Sequence, residues 1–137
     1  MEGREESRAL IKKAESKLRS AKLLLIEGEL EDAVSRAYYA AYNAARAVLL
    51  LLGEDASTHG GVAFKLWTRL VEPGLLDREY ARILSKLREA REEGDYTPLF
   101  TLSTKEVQDL VEDAERFVAR MKELMDEMEK VSNCPGT

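Results

Sequence analysis

The chain of 137 residues has one cysteine, one histidine, one tryptophan and three prolines. The single cysteine, Cys134, sits in the polar tail SNCPGT and excludes an internal disulfide and any cysteine-based metal site. With His59 as the sole histidine there is no histidine pair at metal-ligand spacing and no serine–histidine–aspartate set, and no glycine loop of the G-x-x-x-x-G-K type occurs. Neither a metal nor a cofactor is expected. Long apolar runs are missing as well: the longest uncharged one, Ala47 to Leu52, falls far short of the roughly 20 residues a membrane span requires. The N-terminus MEGREESRAL is too charged for a signal peptide, so a cytoplasmic protein without membrane contact is expected. No stretch alternates at period two long enough for a strand, no 20- to 50-residue repeat is visible, and no segment is of low complexity.

What is present is charge and hydrophobicity in folding proportions, 34% and 45% of residues. A chain of this length suits one domain able to hide roughly two thirds of its unfolded surface, here expected over residues 1–132, with 133–137 a flexible C-terminal tail. The net charge of −5 is uneven: residues 1–34 carry −1, residues 35–91 carry +3 and residues 92–137 carry −7. A basic centre beside an acidic C-terminal segment implies an anion site in the centre or simply helix faces that attract one another.

Helical punctuation runs almost throughout. Leu10, Ala14, Leu18, Ala21, Leu24 and Leu25 recur at three- and four-residue spacing up to Gly28, giving a first helix over about 4–27. A second starts near Leu30 and runs to Leu52, stopped by Gly53; the short connection between the two forces an antiparallel hairpin. Ser57 or Thr58 caps a third, carrying Val62, Phe64, Leu66, Trp67 and Leu70 and ended by Glu72-Pro73-Gly74. Asp77 caps a fourth, predicted to end near Glu93 with Gly94 as its stop. Ser103-Thr104-Lys105-Glu106 is a capping box, followed by a long amphipathic stretch from Val107 to Met128. The expected fold is all-α: a five-helix up-and-down bundle with a long C-terminal helix.

The second helix has two faces. At about 100° per residue, Ser35, Arg36, Tyr39, Asn43 and Arg46 share one arc, and Ala37, Ala41, Ala44, Ala45 and Val48 gather opposite. The alanines let another helix approach closely. The other face is a stripe of cations, a phenol and an amide, which needs partners wherever it is covered: a neighbouring helix, a second subunit or an anionic ligand. Tyr38 and Tyr42 fall beside the stripe and suit ring packing with bonded hydroxyls. His59 belongs to Ser57-Thr58-His59-Gly60-Gly61, a helix start whose free amides attract anions, or a plain cap with an exposed histidine.

Three segments, EDAVSRAYYAAYNAARAVLLLLG, STHGGVAFKLW and AREEGDYTPL, resemble in order and spacing the HEPN domain (higher eukaryotes and prokaryotes nucleotide-binding), in particular its small stand-alone prokaryotic branch. The resemblance runs from the first helix to about Met125. It implies an up-and-down helical bundle that usually forms a homodimer and is often encoded beside a small nucleotidyltransferase. Many members look like toxins or ribonucleases held in check by that partner. The ribonuclease branch carries an arginine followed four to six residues later by a histidine; the arginine steadies the scissile phosphate and the histidine transfers a proton without a metal. The matching arginine here is Arg91, but Asp95 and Tyr96 stand where the histidine and a following tyrosine are expected. Branch members often have histidine where Asn43 stands, and usually have one at the position of His59. An aspartate one turn from an arginine is a good ion-pair partner, so Asp95 can also simply pin the loop through Arg91.

The candidate site therefore comprises Arg91 and Asp95 as catalytic candidates and Arg36, Tyr39, Asn43, Arg46, His59 and Tyr96 as ligand contacts. Three functions are open. The first is a nucleotide- or RNA-binding module paired with a small nucleotidyltransferase in a toxin–antitoxin-like arrangement. The second is a metal-independent ribonuclease using Arg91. The third is a purely structural dimeric subunit whose stripe meets its own copy.

Overall fold

A computed structural model describes residues 2–132; the expected tail 133–137, with Cys134, lies outside the described residues. The chain folds as α1 (Glu2–Ile26), α2 (Leu30–Leu51), α3 (His59–Leu66), α4 (Arg78–Tyr96) and α5 (Thr104–Ser132), with no strand among the described residues. The all-α expectation holds. One irregularity escaped the periodicity: α3 widens at its end into a π-helical turn, Trp67–Val71, whose ring is closed by the Glu72 amide on the Trp67 carbonyl.

The termini follow local chemistry. Gly28 and Gly53 stand at φ +79°, the left-handed conformation that ends α1 and α2 and is cheap only for glycine. The capping box before α5 forms in both directions, Glu106 N–H to Ser103 Oγ and Ser103 N–H to Glu106 Oε1, each 3.1 Å. Asp77 caps α4 by accepting from the Glu79 amide at 2.9 Å. The end of α4 differs from expectation. The helix runs through Gly94 to Tyr96, and Thr97, at φ −113° and ψ 139°, leaves it because the following Pro98 disfavours helical geometry in the residue before it. Gly94 is no stop. A Cβ there would lie 3.3 Å from Glu31 Oε1, so its smallness admits the start of α2.

α2 is the central helix, packed most extensively on α1, then on α5, and also touching α4 and α3. Thirteen of its residues are buried, among them Ala33, Ala37, Ala41 and Ala44 at 0% exposure. Phe117, Met121, Val107 and Ala114 supply the α5 side of the core. Three carboxylates of the acidic C-terminal segment pair across helices: Glu115 with Lys22, Asp113 with Lys86 and Glu129 with Arg8. Part of the charge asymmetry is thus helix-to-helix attraction at the surface, where each pair contributes at most about 1 kcal/mol.

Candidate functional site

The site grows from the spacing of three tyrosines. Tyr38, Tyr39 and Tyr42 stand at i, i+1 and i+4 of α2, so their rings fan over adjoining faces of one turn. Their centroids lie 5.3 to 6.1 Å apart, edge-on or tilted, as the ring quadrupoles favour. His59, the first residue of α3, joins them, with its centroid 5.0 Å from Tyr42, 5.4 Å from Tyr38 and 6.2 Å from Tyr39.

α2 brings His59 there by holding the preceding connection. The Tyr42 hydroxyl donates to the Ser57 carbonyl, and Arg46 Nε donates to the Ala56 carbonyl at 3.0 Å. Glu54 ties the same connection to Lys65 (3.1 Å) and to Arg69 (3.4 Å). Thr58 then caps α3, its Oγ1 accepting from the Gly61 amide at 2.9 Å. A Cβ at Gly61 would stand 2.6 Å from that oxygen, whereas one at Gly60 would meet nothing within 4 Å. One glycine of the pair therefore serves the cap, and the other leaves the helix start open.

Cations approach the rings from two helices. The Arg91 guanidinium lies over Tyr39 at 5.0 Å and Tyr38 at 5.7 Å, and that of Arg46 lies 5.9 Å from Tyr42. Such contacts contribute about 0.5–2 kcal/mol, more as the pair is desolvated. Arg91 also bonds Asp95 at 3.2 Å, one turn on in α4, and Arg88 bonds Glu92 at 3.0 Å in the same way. Beside Arg91 opens a polar cavity of about 280 Å³, walled also by Glu31, Asp32, Ser35, Asp95 and Phe100. Three carboxylates make that side of Arg91 inhospitable to an anion. The ring side, with Arg46 and His59, is the one that suits negative charge.

Titration behaviour follows the packing. Tyr38 is 1% exposed, and burial pushes its phenol up to about 12, against the smaller opposing pull of Arg88. Its hydroxyl lies 2.5 Å from His59 Nδ1. Burial, then the positive fields of Arg91 and Arg88, hold the His59 imidazole below the ordinary histidine range, with Glu92 working the other way. At neutral pH the site thus sets the neutral Tyr38 phenol and an uncharged His59 imidazole beside arginine charges.

Of the residues singled out from sequence, Tyr39, Arg46, His59 and Arg91 come together, and Asp95 reaches the cluster through Arg91. Arg36 is exposed, Asn43 is buried at 6% exposure, and neither takes part in the ring contacts. Tyr96 is 85% exposed on the last turn of α4. Tyr38 and Tyr42 pack their rings and bond their hydroxyls as the sequence implies, and they also belong to the site; Arg88 is the residue sequence reasoning leaves out, its signal being the three-residue step to Arg91. Among the described residues no group of three or more histidine, cysteine, aspartate or glutamate side chains is placed to hold a metal ion. No helix there is long and apolar enough to cross a membrane.

An all-helical bundle whose central helix presents clustered tyrosines to a histidine and two arginines defines a recognisable class of small helical proteins. The chain belongs to the HEPN domain family, whose model matches residues 7–124. Its relatives include a protein of Methanocaldococcus jannaschii named "Putative toxin MJ0605", 36% identical over 91% of this chain and 92% of its own length. A UPF0332 protein of Archaeoglobus fulgidus is 38% identical over 82% of this chain and 89% of its own length, and one of Thermotoga maritima 31% identical over 87% and 90%.

Proposed function

We propose that this chain is a nucleotide- or RNA-binding HEPN subunit of a toxin–antitoxin-like pair, working as a homodimer with a small nucleotidyltransferase as its partner. The observation that carries the reading is the Arg91 guanidinium stacked on Tyr38 and Tyr39, with Arg46 and His59 against the same rings. Cations beside aromatic faces are what phosphates and bases need: charge for one, stacking for the other. The toxin name of the M. jannaschii relative supports the pairing, and exposed Phe64 and Trp67, one turn apart after His59, suit a contact between copies. Equilibrium titration with ATP and with a short RNA at low salt tests it. Wild type is expected to bind one or both, and an Arg46→Ala, Arg91→Ala double variant at least tenfold more weakly. No binding, or equal binding by the variant, refutes the reading.

A second reading, a metal-independent ribonuclease, draws on one observation: an arginine and a histidine share the ring cluster although they come from different helices, α4 and α3. Incubating the protein with RNA decides it. Cleavage lost in Arg91→Ala is the expected result, and cleavage that survives the change rejects it.

A further inference from the structure

The hydrogen-bond arithmetic around Tyr38 settles which nitrogen of His59 carries its proton. The Tyr38 hydroxyl is buried, and His59 Nδ1 is its one hydrogen-bond partner among the described residues. A phenol that stays protonated to about pH 12 has an O–H that must donate somewhere, because a buried donor left without an acceptor loses the hydrogen bond that water would have given it. The acceptor is Nδ1. An imidazole that accepts at Nδ1 and is neutral carries its proton on Nε2. The converse arrangement, Nδ1–H donating to the phenol oxygen, would leave the buried O–H with no acceptor. Among the described residues Nε2 has no protein partner, and it is not among the buried unpartnered atoms, so it reaches solvent.

We propose that His59 is the phosphate-contacting donor of this site, set by Tyr38 as the Nε2–H tautomer, and that it takes up a proton when a terminal phosphate monoester binds. This rests on the reading that the ring cluster receives a phosphate-bearing ligand. Burial is the first obstacle to protonation of the free site. Arg88 and Arg91 of α4 repel a second charge, Glu92 alone attracts one, and the phenols of Tyr38, Tyr39 and Tyr42 on α2 offer no anion. A proton on Nδ1 would also displace the Tyr38 hydroxyl proton from its acceptor. A doubly charged phosphate against Nε2–H reverses that balance, whereas the single charge of a phosphodiester supplies half the attraction. The site therefore favours a terminal phosphate, on a free nucleotide or at an RNA end, and binding is coupled to proton uptake.

The chain has one histidine, so its imidazole is assigned without ambiguity in tag-free protein. Long-range proton–nitrogen correlation spectra at pH 8 should show the Nε2–H tautomer in wild type and a mixture of tautomers in Tyr38→Phe; the Nδ1–H tautomer in wild type overturns the proposal. With AMP as probe, the titration midpoint of His59 should rise, and AMP affinity should fall about fivefold between pH 6.5 and 8.5. His59→Gln, which keeps a neutral donor, should bind with a flat pH profile, and His59→Ala should bind about tenfold more weakly. AMP binding that leaves the His59 titration unmoved refutes the role of His59 while the nucleotide-binding reading stands; absence of AMP and RNA binding at both pH values removes both. A 5′-phosphorylated RNA that binds more tightly than AMP and shows the same proton uptake assigns the terminal phosphate to an RNA end, and equal affinity assigns it to a free nucleotide.

Discussion

On one side of α2, Ala33, Ala37, Ala41 and Ala44 are fully buried and carry nothing beyond Cβ; on the other, Tyr38, Tyr39, Tyr42 and Arg46 reach across to the 56–59 segment and to α4. The alanine side gains its stability from close backbone approach, a matter of volume alone. The tyrosine side gains it from packed rings, from the directed hydroxyl bonds of Tyr38 and Tyr42 and from guanidinium groups set against ring faces. The same helix is thereby intolerant of size on one face and of altered hydrogen-bonding on the other. Damage to the fold and damage to the site should be separable by choosing the face.

The largest effect should come from filling the close-packed face. Ala41→Leu forces extra methylenes into a fully buried position and should cost about 3 kcal/mol, read as a lowered urea midpoint. A loss below about 1 kcal/mol would show that the alanine side is loosely packed and would break the contrast. Next comes the phenol buried on the opposite face. Its pKa of about 12 in the folded chain exceeds the value near 10 that it has when unfolded, so the folded state holds the proton longer. The resulting contribution is fully present below pH 10 and should fall by about 2–3 kcal/mol as the pH rises to 12. Tyr38→Phe should lack that decline, and identical alkaline profiles for the two proteins would contradict it. The smallest effect is expected from Tyr42→Phe, which removes one hydroxyl donor from the Ser57 carbonyl at a cost of about 1 kcal/mol. Amide exchange should quicken at the start of α3 while the centre of α5 keeps its protection; uniform quickening would mean that the two faces are not independent.

Much of the fold is legible in the chain because its signals are local. Gly28, Gly53 and the Ser103–Glu106 box each act within one turn, and the apolar periodicity of α2 and α5 needs no neighbour to be read. Gly94 misleads because a glycine near a helix end resembles a stop, while here it lies inside the helix beside Glu31, distant in sequence, and the stop lies with Pro98. The π-turn at Trp67–Val71 leaves no mark that periodicity detects. At the site, Arg91, Arg46, Tyr39 and His59 were identifiable as chemistry-bearing residues. Tyr38 and Tyr42 read as packed rings with bonded hydroxyls, as found, but a helical wheel cannot show that the partners of those hydroxyls lie in the connection and helix start that follow α2.

That connection, residues 52–58, has a consequence for how the chain can vary. A link between two helices ordinarily accepts insertions readily, since its ends are fixed and its middle is free. Here Ala56 and Ser57 are fastened by their backbone carbonyls to α2, and Glu54 is fastened by its side chain to α3 and the turn beyond. Because α2 holds carbonyl oxygens, the exposed side chain at 57 is exchangeable, while Ala56 also packs against the core; adding or removing one residue would carry His59 out of reach of the tyrosines. The segment works as a ruler, in which length is constrained more tightly than composition.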